Sequence, residues 1–162
     1  MFFTFPSVLP YKKKATMRRL FISLCVSVLT LTLARAGNDT PIQVSQLPQK
    51  AQTFISTHFS NLKVALATVE SEVFSKTYDV MFTTGEKLEF DKSGQWTEVK
   101  TKPAAVPSEI VPEAIRTWVS NHYADAHIVK IERESKVYEV ELSNRVEVKF
   151  NSKFQAIDID MD

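Results

Sequence analysis

Leu47-Pro48-Gln49-Lys50-Ala51-Gln52-Thr53-Phe54-Ile55-Ser56-Thr57-His58-Phe59 decides the fold, because it returns as Val111-Pro112-Glu113-Ala114-Ile115-Arg116-Thr117-Trp118-Val119-Ser120-Asn121-His122-Tyr123, 64 residues on. Tyr78-Asp79-Val80 recurs as Tyr138-Glu139-Val140, and Leu88-Glu89-Phe90-Asp91 as Val148-Lys149-Phe150-Asn151, with the offset shortened to 60. A chain that repeats itself builds one supersecondary unit twice, so the period sets the architecture before local propensities are weighed.

Inside each copy the apolar spacing changes once. Leu47, Ala51, Phe54, Ile55 and Phe59 share one helical face, and Val111, Ile115, Trp118, Val119 and Tyr123 occupy the matching places. Ser45 is a candidate N-cap with Pro48 in the first turn, and Ser108 and Glu109 open the second helix. After each helix the period falls to two: Tyr78, Val80 and Phe82 in one copy, then Tyr138, Val140 and Leu142, then Val146, Val148 and Phe150, then Ile157, Ile159 and Met161. Such alternation marks strands with one buried and one wet face. Turn residues at Thr84-Gly85, Lys92-Ser93-Gly94, Ser143-Asn144 and Asn151-Ser152 separate them. The expected strands are 63–73, 75–83, 86–91, 95–101, 127–134, 136–142, 145–150 and 155–161.

The fold expected is therefore α+β: two tandem repeats of one helix followed by a four-stranded antiparallel sheet. A repeat of some 60 residues is marginal alone. Joining two edge to edge covers two open edges, giving one eight-stranded sheet with both helices on one face and a broad, solvent-exposed opposite face. The repeats are placed at 37–102 and 103–162, with Lys102-Pro103-Ala104-Ala105-Val106-Pro107 as the linker.

Residues 1–36 stand outside this scheme. Met17-Arg18-Arg19, the apolar run Leu20 to Leu33 and Ala34-Arg35-Ala36 have the form of a cleaved signal peptide, with Met17 as the alternative start. The protein is thus expected to be periplasmic or secreted, with no stable membrane insertion after cleavage, and Gly37 to Val44 is read as a polar, flexible leader. Cleavage removes Cys25, the single cysteine, and with it any thiol nucleophile, redox pair or cysteine zinc site. Of the 20 basic residues six lie in 1–36, which holds no acidic one, so 37–162 carries 14 basic against 19 acidic residues. A net charge of −5 argues against nucleic acid and anionic membrane as partners.

The helix pattern at 47–59 and 111–123, with the strand core Tyr-Asp/Glu-Val at 78–80 and 138–140, resembles the PepSY-like family of exported bacterial proteins, similar in fold to the β-lactamase inhibitor protein. The resemblance covers nearly all of residues 45–162. It implies protein binding, as peptidase inhibition or β-lactamase inhibition, and supplies no catalytic residues to carry over.

The residues themselves offer little chemistry. His58 and His122 are equivalent positions beside the apolar stripe, which repeat symmetry explains as boundary histidines better than as metal ligands. Asp158-Ile159-Asp160-Met161-Asp162 alternates acids with apolar residues, as the wet face of a strand does, and lacks the glycine turn of a calcium loop. Glu132, Glu134, Glu139 and Glu141 form an acidic face with Lys130, Arg133 and Lys136 to offset them. Three glycines in the whole chain leave little for phosphate or oxyanion loops, and a P-loop or Gly-x-Ser-x-Gly turn is missing. The expectation is no enzyme, no cofactor and no metal.

Trp96 is the better clue. By alternation it shares a face with Glu98 and Lys100, while its repeat partner is the small Ala156. Met81, between Asp79 and Thr83, points to the same polar face. Trp96, Met81, Glu98 and Lys100 are therefore the candidate protein-binding residues, an exposed tryptophan being a typical anchor. The competing account is a tryptophan covering the sheet edge or the repeat junction. The expected function is a non-enzymatic exported module, monomer or weak dimer, binding a protein or peptide of the cell envelope and modulating an extracytoplasmic enzyme. The alternative is a small-ligand or metal-sensing module of the envelope.

Overall fold

The computed structural model describes residues 39–72 and 75–161; the signal-peptide reading of 1–36 lies outside them. Among the described residues the fold is α+β, with two helices and one open antiparallel sheet of nine strands whose spatial order follows the chain. The strands are β1 (Thr40–Pro41), β2 (Val64–Ser71), β3 (Lys76–Phe82), β4 (Lys87–Phe90), β5 (Trp96–Lys100), β6 (Ile128–Glu134), β7 (Val137–Leu142), β8 (Val146–Phe150) and β9 (Ala156–Met161). Helix α1 (Gln49–His58) precedes β2 and helix α2 (Glu113–His122) precedes β6.

Both helices begin later than the capping residues suggest. Pro48 and Pro112 are the N-caps, at φ −54° and −52°. A proline disfavours helical backbone in the residue before it, and Leu47 is accordingly extended at ψ 153°. Ser45 falls instead in a short 3-10 turn over Val44–Gln46, and Ser108 and Glu109 lie in the turn ahead of α2.

The ninth strand is the other departure. Thr40 and Pro41 pair with Val69 and Thr68, and Ile42 N–H donates to the Ala67 carbonyl at 2.9 Å. The stretch read as a flexible leader thus satisfies part of the β2 edge, whose peptide groups would otherwise face solvent.

Register assigns every strand residue to one of two faces. Val80, Leu88, Val99, Ile131, Val140 and Val148 are successive cross-strand partners, and each is at most 1% exposed. This is the apolar face. Phe54 of α1 meets Phe90 edge-on at 5.7 Å between ring centroids, and Trp118 of α2 meets Phe150 in the same way at 5.4 Å. Phe59 stacks on Phe82 at 5.4 Å. The sheet runs unbroken through β5 and β6, where Val99 pairs with Ile131, so apolar residues from both halves of the chain join one core.

The end strand β9 departs from the alternation rule, which predicts burial for its apolar members. Ile159 pairs with the buried Val148 and Met161 with the buried Val146, yet they are 44% and 75% exposed. At the end of the sheet they have, among the described residues, a neighbouring strand on one side only.

Candidate functional site

The charged face is built by the same register, one residue out of phase. Asp79, Glu89, Glu98, Glu132 and Glu139 are successive direct partners across β3 to β7, and Lys149 and Asp158 continue the row on β8 and β9. Five carboxylates thus stand side by side across five strands, at the spacing where like charges repel. The adjacent row reads Leu66, Met81, Lys87, Lys100, Lys130, Glu141, Glu147 and Asp160, from β2 to β9. Lysines therefore flank the carboxylates over β4 to β6, and acids flank them over β7 to β9.

Crowding shows in the acid–base behaviour. Burial, then the neighbouring charges of Glu89, Asp39 and Glu70, pushes Asp79 up to about 6. Burial also raises Glu89, against the hydrogen bond it accepts from Thr97 Oγ1 at 3.2 Å. Glu98 is pushed up to about 7 by burial and by the carboxylate of Glu132. Burial acts on Glu132 in the same sense, but hydrogen bonds from Glu98 and Lys130 outweigh it and hold Glu132 low. Within this pair Glu98 is held above and Glu132 below the ordinary carboxylate value. Lys130 lies 3.5 Å from Glu98 and 2.5 Å from Glu132. Burial works against its charge, but these carboxylates raise its pKa overall. Lys149 pairs with Glu139 at 3.2 Å, and Lys102 with Glu141 at 2.8 Å.

The face is broad and shallow. Lys130, Glu132, Glu139, Glu141 and Glu147 line a depression of about 10 Å³, far below the roughly 300–1,000 Å³ of a small-molecule pocket. Among the described residues, no three His, Cys, Asp or Glu side chains are grouped to hold a metal ion. His58 and His122 each lie against the aromatic ring one turn earlier, Phe54 at 4.8 Å and Trp118 at 4.1 Å. His122 Nδ1 donates to the Trp118 carbonyl at 2.8 Å.

Of the four residues singled out from sequence, Met81, Glu98 and Lys100 stand on the charged face, with Met81 38% exposed. Trp96 does not. The β4–β5 register slips between Glu89 and Phe90, so Trp96 pairs with the buried Phe90 and Thr97 is the inserted residue. One extra residue moves the tryptophan to the apolar face. There it lies 6.5 Å from Phe54 of α1 and 6.5 Å from Tyr138 of β7. Arg133 covers its ring at 4.5 Å and donates from Nη2 to its carbonyl oxygen at 2.7 Å. Arg133 is thereby corrected as well: its guanidinium serves the tryptophan and not the carboxylates of the charged face. Trp96 bridges the β5–β6 seam, which is the junction account of this residue.

Sequence reasoning named Asp79, Glu89 and Lys149 only as members of recurring, alternating strand segments and did not name Lys87. No motif links positions so far apart in the chain. Only the strand register makes them neighbours.

This architecture matches known proteins. The family model described as "Putative beta-lactamase-inhibitor-like, PepSY-like" matches residues 76–158. Among curated proteins none matches the sequence. A crystal structure of a "putative periplasmic protein from DUF2874 family" of Bacteroides vulgatus is 58% identical, with a TM-score of 0.75, over 77% of this chain and 98% of that one. A "putative calcium-regulated periplasmic protein" of Bacteroides thetaiotaomicron is 56% identical, with a TM-score of 0.74, over 76% and 97%. A further "putative periplasmic protein of unknown function" from Bacteroides vulgatus is 36% identical, with a TM-score of 0.72, over 75% and 98%. Among the described residues no helix is long and apolar enough to cross a membrane.

Proposed function

The chain belongs to the PepSY-like family, and from that membership we propose that it is a non-enzymatic periplasmic binding module whose charged sheet face engages another protein of the cell envelope. The two helices, in this reading, belong to tandem units that both cover the apolar face, which leaves the charged face open. The observation that carries the proposal is the unbroken row Asp79, Glu89, Glu98, Glu132 and Glu139. A sheet shaped for stability alone would alternate signs along such a row, because opposite charges stabilise cross-strand pairs and like charges destabilise them. A partner with a cationic stripe relieves the repulsion on docking, and a shallow, wide surface suits a protein better than a small ligand. Met81 and Leu66 add an apolar margin at one end of the lysine row. By family likeness the consequence is modulation of an extracytoplasmic enzyme, such as a peptidase or β-lactamase.

Capture from periplasmic extract by the immobilised protein, repeated with the Glu98→Lys/Glu139→Lys variant, tests this. The partner should be held by the wild type, released by added salt, and missed by the folded variant. Equal capture by both sinks the proposal.

Cation sensing is a second reading, favoured by the description of the Bacteroides thetaiotaomicron relative as calcium-regulated. A divalent cation would relieve the same repulsion, although a ready-made ligand set is missing among the described residues. Calorimetric titration with calcium chloride separates the two. Heat that is saturable at micromolar calcium and lost in Glu98→Gln supports the sensor, and no heat below millimolar calcium excludes it.

A further inference from the structure

The two edges of the sheet are finished differently, and the difference identifies a second interaction surface. At one edge, β1 is two residues long and contains Pro41, which has no N–H to offer an incoming strand. At the other edge, β9 runs for six residues without proline or lysine, and among the described residues it pairs with β8 alone. Ile159 at 44% and Met161 at 75% exposure lie uncovered on one face, and Ile157, the residue that a bulge inserts between the partners of Lys149 and Phe150, is 56% exposed. On the other face Asp158 and Asp160 stand opposite Lys149 and Glu147.

We propose that β9 receives an extended peptide segment in which basic residues alternate with apolar ones, pairing as a tenth strand. Side-chain alternation would place the basic residues beside Asp158 and Asp160, and the apolar ones beside Ile159 and Met161. Backbone hydrogen bonds supply the attraction, and the two rows supply the selectivity. The acids also decide against the obvious competitor, a second copy of this chain. Antiparallel pairing of β9 with itself, centred on Ile159, sets Asp158 against Asp160 of the other copy twice, an arrangement that costs stability. The proposal is independent of the charged-face reading, since it rests on the edge and not on the carboxylate row of β3 to β7.

The test uses three synthetic octapeptides: alternating Lys/Val, alternating Glu/Val, and a block peptide of four lysines followed by four valines. Affinity is read by fluorescence anisotropy and location by amide hydrogen exchange. Alternating Lys/Val should slow exchange across 156–161 at saturation, and should bind at least about tenfold tighter than either other peptide, a ratio of about 1.4 kcal/mol. Asp158→Lys/Asp160→Lys should reverse the preference toward Glu/Val, and Asp158→Asn/Asp160→Asn should weaken Lys/Val binding with the strand unchanged in shape. Glu98→Lys should leave all of this intact. Equal binding of the block peptide, or slowed exchange only outside 156–161, overturns the proposal. So does protection of β9 that grows with protein concentration in the absence of peptide.

Discussion

The turns at 91–95 and 151–155 have the same hydrogen bonds and opposite fillings. In the first, Asp91 Oδ1 accepts from Ser93 and Gln95 N–H at 2.8 and 2.9 Å, and Gly94 N–H donates to the Asp91 carbonyl. In the second, Asn151 Oδ1 accepts from Lys153 and Gln155 N–H at 2.9 and 3.1 Å, and Phe154 N–H donates to the Asn151 carbonyl. The fourth residue is left-handed in both, at φ 79° for Gly94 and 57° for Phe154. What differs is the neighbour. A Cβ on Gly94 would stand 2.7 Å from Pro48 Cβ and 3.0 Å from Ala51 N, because the start of α1 rests on that turn. Phe154 has room to extend over Tyr138, with ring centroids 5.4 Å apart, and that contact offsets the backbone strain. The residue that follows each turn differs for a related reason. Trp96 fills the seam between β5 and β6, whereas Ala156 lies on the edge strand with no seam to fill. Matching local chemistry therefore leaves side-chain size to be decided by what packs on the turn.

Gly94→Ala should be the most damaging of the changes that probe this contrast. Left-handed backbone and overlap with α1 together cost about 3 kcal/mol, read as a lowered midpoint in urea denaturation. A loss under about 1 kcal/mol would mean that α1 moves freely over the turn. Trp96→Ala comes next, at about 2 kcal/mol, less than a fully buried aromatic because the ring is only half-buried. Arg133→Met should recover none of that loss, and Ala156→Trp should be close to neutral because its site is at the edge.

Glu98→Gln should have the opposite sign. A carboxyl raised from 4.5 to about 7 on folding costs nothing below the unfolded pKa. The cost develops between about pH 4.5 and 7 and is complete above 7, because the folded state binds the extra proton. The variant should therefore be more stable by about 1 kcal/mol at pH 8, after allowance for solvent screening and for its coupling to Glu132. The gain should vanish near pH 4.5, as followed by thermal melts across the range. A gain that does not depend on pH would remove ionisation as its cause. Phe154→Gly should matter least, within about 1 kcal/mol, since relief of backbone strain offsets the lost ring contact.

Much of this fold was legible. Strands 75–83, 136–142 and 145–150 fall within a residue of those observed, because a half-buried segment with a period of two fits a strand and no helix. Met81, Glu98 and Lys100 were assigned to the right face on the same ground. Trp96 was not, because Thr97 inserts one residue into β5, and a single inserted residue inverts the alternation for everything before it. Nothing in the residue types at 95–97 announces the insertion. β1 was missed because a two-residue strand containing proline carries no period at all. Ile159 and Met161 share the pattern of buried strand residues, and only their position at the end of the sheet leaves them exposed.

Apolar spacing determined the helices and most strands, since these depend on contacts between residues near in sequence, and the motifs at 47–59, 78–80, 111–123 and 138–140 carried the resemblance to the family. Tertiary structure alone decided which carboxylates became neighbours, where the tryptophan turned and which edge was left uncovered. Asp79 and Glu139 belong to one row because the five strands β3 to β7 are hydrogen-bonded in register at these positions. That register is a property of the assembled sheet, set by backbone pairing between segments whose separation along the chain says nothing about their distance in space.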